Sequence, residues 1–204
     1  MISAASLTGL HERVKGMIEV VFYGRGGQGA VTASQILATA AFSEGKYAQA
    51  FSHFGAERKG APVMAFVRIS TTTIEVRNPI EAPDIIIVLD SNLLKTGDLT
   101  DTLKPGGIAI INSSKSPEEI KGLHRKNITV NTIDATAISE KVYGQASIPR
   151  TNIAMLGAVV AYTQIVSLDA IKVSIGQYFM ADNATKARDT VELAYSASRT
   201  KSSR

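Results

Sequence analysis

Apolar and polar positions fall into short alternating blocks along this chain. Residues 17–23, MIEVVFY, form a brief apolar and β-branched run, the pattern of a buried strand. Across residues 30–43 the apolar side chains Val31, Ile36, Leu37, Ala40 and Ala41 recur at helical spacing, alanines add propensity, and Gly45 ends the run. Residues 47–51 read as a second, short strand. The segment SHFGAERKGAP, residues 52–62, is too charged and glycine-rich for a core element. Residues 63–69 and 72–77 are β-rich runs around a tight polar turn, which predicts an inserted hairpin.

Further along, DIIIVLD at residues 84–90 is an apolar strand flanked by acids, as in the interior of a parallel sheet. A short helix is expected over residues 93–103. Pro105-Gly106-Gly107 then turns into a strand at 108–112, and the last strand, 128–133, leads to a helix at about 136–143. Three helical stretches follow, at 151–166, 169–180 and 183–198. Strands alternating with helices, then a helical end, predict an α/β fold: a Rossmann-like, doubly wound sheet with an inserted β-hairpin and a helical C-terminal part. One domain spanning 17–198 is expected, with residues 1–16 a flexible N-terminal extension and 199–204 a flexible basic tail.

Composition narrows the function. The 204 residues include no cysteine, which excludes disulfides, thiolate zinc sites and a cysteine-ligated iron–sulfur cluster in this chain. The net charge of +4 comes partly from the tail, there is no tryptophan, and no basic stripe is interleaved with aromatics, so nucleic acid is not an expected partner. No apolar run approaches the roughly 20 residues of a membrane span, and residues 1–16 lack the apolar core of a secretory signal; the chain reads as cytoplasmic.

Candidate chemistry begins at Gly24-Arg25-Gly26-Gly27-Gln28-Gly29, which matches G-x-G-x-x-G between a strand and a helix. Glycines here let main-chain N–H groups face an anion at a helix N-terminus, with Arg25 and Gln28 able to add a fork and an amide. Close packing against a helix or a neighbouring subunit explains the same pattern equally well. A dinucleotide also demands an acid at the end of the second strand, where Ser52 and His53 stand instead; the first acid beyond is Glu57. There is no ATP-type phosphate loop and no G-x-S-x-G elbow, and His11, His53 and His124 lack metal-ligand spacing. Asp90, at the carboxyl end of its strand, reads as a turn or cap residue before a catalytic one. The loop Glu57-Arg58-Lys59-Gly60-Ala61-Pro62 can present arginine beside glutamate to a partner chain, or be a solvated turn with an internal ion pair.

Taken together, GRGGQGAVTASQILATAAFSEGKYAQAF, GAERKGAP and PRTNIAMLGA (residues 149–158) resemble the gamma subunit of 2-oxoacid:ferredoxin oxidoreductases of the pyruvate or 2-ketoisovalerate type. The resemblance spans about residues 17–195. It implies a non-redox subunit of an enzyme that oxidatively decarboxylates a 2-oxoacid to an acyl-CoA and reduces ferredoxin. Thiamine diphosphate, Mg and the iron–sulfur clusters would lie in alpha, beta and delta chains or their fused equivalents, with CoA as co-substrate. Gly97-Asp98-Leu99 lacks the thiamine-type pattern, in keeping with that division. On this reading Gly24, Arg25, Gly26, Gly27, Gln28 and Gly29 form a CoA-side loop, and Glu57, Arg58, Gly60 and Pro62 a subunit interface. Asn152 is expected to cap the helix that begins there, with Met155 and Leu156 turned inward. The alternative is an independent nucleotide- or dinucleotide-binding Rossmann-like protein.

Overall fold

Strand β1 (Met17–Arg25) is buried on both sides because its apolar residues alternate between two cores: Ile18, Val20 and Phe22 face one, Val21 and Tyr23 the other. It runs through a six-stranded sheet in a computed structural model that describes residues 16–54, 62–95, 99–120, 123 and 127–202. The other strands are β2 (Tyr47–Phe54), β3 (Pro62–Ser70), β4 (Ile85–Val88), β5 (Ile108–Asn112) and β6 (Thr129–Ile133), and the sheet order is β2-β3-β1-β4-β5-β6. β4, β5 and β6 continue from β1 in parallel, while β3 lies antiparallel between β1 and β2. The architecture is of the expected α/β class, but the antiparallel insertion is β2–β3, where the sequence predicted a hairpin of residues 63–69 and 72–77.

Residues 72–77 do not supply the second arm of that hairpin. They form no strand, and β3 takes β2 and β1 as neighbours instead. Their side chains are mostly exposed, so no sheet face is available to bury them. The carbonyls of Val76 and Asn78 accept from the Arg68 guanidinium at 3.3 and 2.6 Å, in place of a ladder. Arg68, only 1% exposed, also pairs through Nε with Glu19 Oε1 at 3.1 Å. Lys104 Nζ bridges Glu19 Oε2 and Asp84 Oδ2 at 3.1 and 3.0 Å, closing a four-residue ionic network at the amino ends of β1 and β4. Burial draws the Lys104 ammonium down, but the Asp84 and Glu19 carboxylates outweigh it and hold its pKa above the usual lysine range.

Among the described residues there are five α-helices: α1 (Ala30–Ser43), α2 (Ala135–Tyr143), α3 (Thr151–Thr163), α4 (Leu168–Tyr178) and α5 (Ala181–Ser202). All contribute to the core on one face of the sheet. α3 is apolar around its whole circumference and every residue of it is buried, the mark of a helix with neighbours on all sides. A Cβ at Gly157 would collide with the Val191 carbonyl and stand 2.9 Å from Ala194 Cβ, so glycine is what lets α5 lie against α3. α3 stops at a left-handed Gln164 (φ 52°), short of residue 166, and α5 carries Arg199 and Lys201 in helix to Ser202, beyond the boundary expected at 198. On the opposite face the cover is thin. Where one helix was expected over 93–103, two 3₁₀ turns (Ser91–Lys95 and Leu99–Thr102) bury Leu93 and Leu94, and Leu103 follows them into the same core.

Candidate functional site

The carboxyl ends of β1, β4, β5 and β6 lie side by side, the edge at which open parallel sheets bind ligands. At this edge β1 turns into α1 through the glycine segment. The Arg25 N–H donates to Gln28 Oε1 at 2.7 Å and the Gln28 N–H donates to the Arg25 carbonyl at 3.0 Å, so Gln28 braces its own turn. Gly29 is the N-cap of α1 in the left-handed region (φ 78°), and a Cβ there would collide with the Asn152 carboxamide. Asn152 Nδ2 donates to the Gly29 carbonyl at 3.2 Å. Gly24 has its own steric reason, since a Cβ would lie 3.1 Å from Leu89 Cδ1. Packing within the chain therefore accounts for Gly24 and Gly29. Gly27 is exposed and Gly26 half-buried.

Asn152 does not cap α3, as the sequence suggested; Arg150 holds the N-cap position, and Asn152 reaches across to the neighbouring helix start. Met155 and Leu156 are fully buried, as expected.

Arg25 Nε donates to Asp90 Oδ2 at 2.7 Å, which joins the ends of β1 and β4. Asp90 Oδ1 accepts from the Asn92 backbone and side chain at 2.9 and 3.0 Å, a turn role. Burial would raise the Asp90 carboxyl, but the Arg25 hydrogen bond, the Asn92 donors and the Arg25 charge together hold it below the ordinary carboxylate range.

Beyond this pair lies an open cleft of about 700 Å³, lined by Gln28, Asp90, Lys95, Asn112, Lys115 and Thr151 among others. Asn112, the last residue of β5, forms a fixed part of its lining: Nδ2 donates to the Leu89 carbonyl and Thr136 Oγ1, and Oδ1 accepts from the Ala135 N–H. In the sequence its only signal was a lone amide ending an apolar strand.

A dinucleotide fits this edge poorly. β3 stands between β1 and β2, so the end of β2 is two strands from the glycine turn, roughly 10 Å at the usual strand spacing. The end of the second strand, where the ribose-holding acid is expected, is therefore not beside β1. Glu57, Arg58 and Gly60 lie outside the described residues. Pro62 opens β3 directly opposite Arg25 in the ladder, a strand-first position that costs proline little. No cluster of three metal-ligating side chains occurs among the described residues, and no helix among them is long and apolar enough to cross a membrane.

The first and third of the segments that carry the resemblance meet at the glycine turn, and the last residue of the second, Pro62, stands beside it. Pro62 is Arg25's ladder partner, and Asn152 bonds Gly29. Comparison with known proteins agrees. The chain is 47% identical over 180 residues to the Pyruvate/ketoisovalerate oxidoreductases common subunit gamma of Thermococcus kodakarensis, covering 88% of this chain and 96% of that protein. It is 45% identical over 179 residues to the Pyruvate synthase subunit PorC of Methanocaldococcus jannaschii, with 88% and 96% covered. The crystal structure of the pyruvate oxidoreductase subunit PORC from Thermotoga maritima superposes with a TM-score of 0.76 at 36% identity, covering 89% of this chain and 97% of that one. With residues 19–197 matching the family described as Pyruvate ferredoxin/flavodoxin oxidoreductase, the chain belongs to that family.

Proposed function

We propose that this chain is the gamma-type subunit of a cytoplasmic 2-oxoacid:ferredoxin oxidoreductase acting on pyruvate or a close relative, and that its glycine turn lies on the CoA side of the complex. The chain has no cysteine, so the iron–sulfur clusters belong to partner chains, together with thiamine diphosphate and Mg. Alpha, beta and delta chains or their fused equivalents are the partners, and ferredoxin meets the complex through them. What this subunit supplies is shape and charge.

The observation that supports the reading best is the hydrogen bond from Asn152, in the third motif segment, to Gly29, in the first, at the start of α1, with Pro62 beside Arg25 in the sheet. The donor set there suits a diphosphate. α1 has no side-chain cap and no acidic residue in its first turn, so nothing opposes the positive end of its dipole. Arg25 stands at the rim, its Nε held by Asp90, which orients the guanidinium plane. Gly26 and Gly27 leave the outer side of the turn without side chains. When bound, CoA supplies the thiol that accepts the acyl group; these residues bind and orient its phosphates. Glu57, Arg58, Gly60 and Pro62 form the seam to the catalytic chains.

Calorimetric titration of CoA into the assembled complex tests the loop. Arg25→Ala is expected to weaken CoA by about tenfold, the loss typical of one charge-assisted contact. An unchanged affinity would remove Arg25 from the site.

A further inference from the structure

We infer that the outer edge of β2, with α1 above it, is a surface for a second copy of this chain. β2 pairs with its counterpart in antiparallel register and continues the sheet across a two-fold axis. This goes beyond the proposed function and does not rest on it.

The first ground is the backbone. The Glu19 and Tyr23 carbonyls accept from the Asp84 and Leu89 N–H groups, so odd-numbered residues of β1 face β4 and even-numbered ones face β3. Followed through the ladders, this alternation turns Gln49 and Phe51 toward Arg68 and Phe66 of β3. Ala48, Ala50 and Ser52 therefore point their N–H and carbonyl groups away from the sheet, where no strand among the described residues meets them. The opposite edge is treated differently. The Thr129 N–H and the Ile133 carbonyl bond to Gly107 and Ser113 at the two ends of β5, so Thr132 faces outward. Its carbonyl accepts from Lys201 Nζ at 3.4 Å and from the Tyr162 hydroxyl at 3.5 Å. A lysine on an edge is a common guard against strand pairing, and β2 contains neither lysine nor proline.

The second ground is charge. Residues 30–43 and 47–54, the whole of α1 and β2, contain no Asp, Glu, Lys or Arg. The side of α1 turned from the core carries Val31, Gln35, Ala38 and Phe42 at helical spacing. A helix facing water places its charges there, yet Phe42 stands 72% exposed. The two charges between α1 and β2 are engaged within the chain: Glu44 and Lys46 pair at 2.8 Å, and they bond the Ser167 N–H and the Ile165 carbonyl.

Geometry selects a second copy over any other extended segment. Turned about a two-fold axis at Ala50, β2 sets Ala50 opposite Ala50 and Ala48 opposite the second copy's Ser52, each pair exchanging both backbone bonds. These side chains are small, and no like charges oppose one another. The axis is normal to the sheet and keeps both α1 helices on one face. α1 lies over β2 and β3 alike, one strand spacing from the seam. The two helices therefore come about 10 Å apart, the separation at which helices pack. Strand pairing and helix packing are satisfied together, and only another α1 supplies the second.

Light scattering on the full chain during size-exclusion chromatography, with amide hydrogen exchange, tests the surface. We expect a dimer whose fraction rises with concentration in the micromolar range, and exchange at Ala48, Ala50 and Ser52 that slows in step. Phe42→Lys, which puts like charges on the facing helices, should weaken the dimer about tenfold. Ala50→Pro removes an N–H that the single chain does not use, so it should abolish the dimer and keep the wild-type melting temperature. Should Ala50→Pro melt early, Phe42→Lys, at a solvent-facing position, still decides. A monomer at every concentration up to about 100 μM, or a dimer that neither variant weakens, overturns the proposal. Protection of the three amides that arises only on adding the catalytic chains assigns the edge to one of them and overturns it equally. CoA affinity plays no part in these readouts, so this surface and the CoA-side reading can fail independently.

Discussion

Asn152 Nδ2 donates to the carbonyl of Gly29 at 3.2 Å, joining residues 123 positions apart and fixing the start of α3 against the start of α1. The contact has no slack, since the space a Cβ at Gly29 would need is filled by the Asn152 carboxamide. Gly29→Ala therefore combines an unfavourable left-handed backbone with a collision. We expect a loss of about 2–4 kcal/mol in urea unfolding. Asn152→Ala removes only the hydrogen bond and some packing and should cost about 1 kcal/mol. If Gly29→Ala unfolds at the wild-type midpoint, the turn is not built this way.

The Arg25–Asp90 pair gives stability an acid limb. The Asp90 carboxyl is held below its ordinary value in the fold, so its contribution is complete above the unfolded value near pH 4 and disappears as pH falls through the lower, folded one. Arg25 is 36% exposed at its side chain, and solvent screening limits the effect to about 0.5–1 kcal/mol. Asp90→Asn should lower stability by that amount at pH 7, and the difference should close as pH falls below about 4 and through the folded-state value. A difference that stays constant with pH would assign the loss to the Asn92 turn instead.

Arg68 is the buried charge on which residues 71–78 depend. It pairs with Glu19, donates to the Val76 and Asn78 carbonyls, and stacks over the Phe51 ring at 5.2 Å. Removing it leaves Glu19 and two carbonyls short of donors. Arg68→Met is expected to cost about 3–5 kcal/mol and to open residues 71–78 to limited proteolysis. Arg68→Lys, which cannot reach two carbonyls and a carboxylate with one planar fork, should recover less than half of that. Wild-type protease resistance in Arg68→Met would show that the segment is held by other contacts.

These features differ in how far the sequence exposes them. β1, β4, β5 and α1 were legible because both faces of the strands, and one stripe of the helix, are apolar and continuous. Residues 72–77 misled because β-branched residues in alternation signal a strand whether or not a neighbouring strand exists; here the acceptors are met by a side chain from β3. That Arg68 is buried at all could not be read from Val67-Arg68-Ile69, where an outward-facing charge gives the same pattern. The glycine turn was visible, yet the reason for Gly29 was hidden, because it depends on a partner 123 positions away.

The register of β3 bears on how the subunit meets its complex. With Pro62 opposite Arg25, the chain enters β3 a strand's width from the glycine turn, and Arg58 precedes that point by four residues in the sequence. A partner gripping Arg58 would then close over the CoA side as well, and assembly and CoA affinity should be coupled. Arg58→Ala in a reconstituted complex is expected to weaken assembly about tenfold, and to raise the CoA KM at subunit concentrations where the complex is partly dissociated, while the isolated chain keeps its melting temperature. The KM effect should vanish when the partner chains are in excess, because mass action restores the seam. A KM that stays raised at saturating partner would instead make Arg58 a direct CoA contact. Normal assembly together with a normal KM would remove residues 57–62 from the interface.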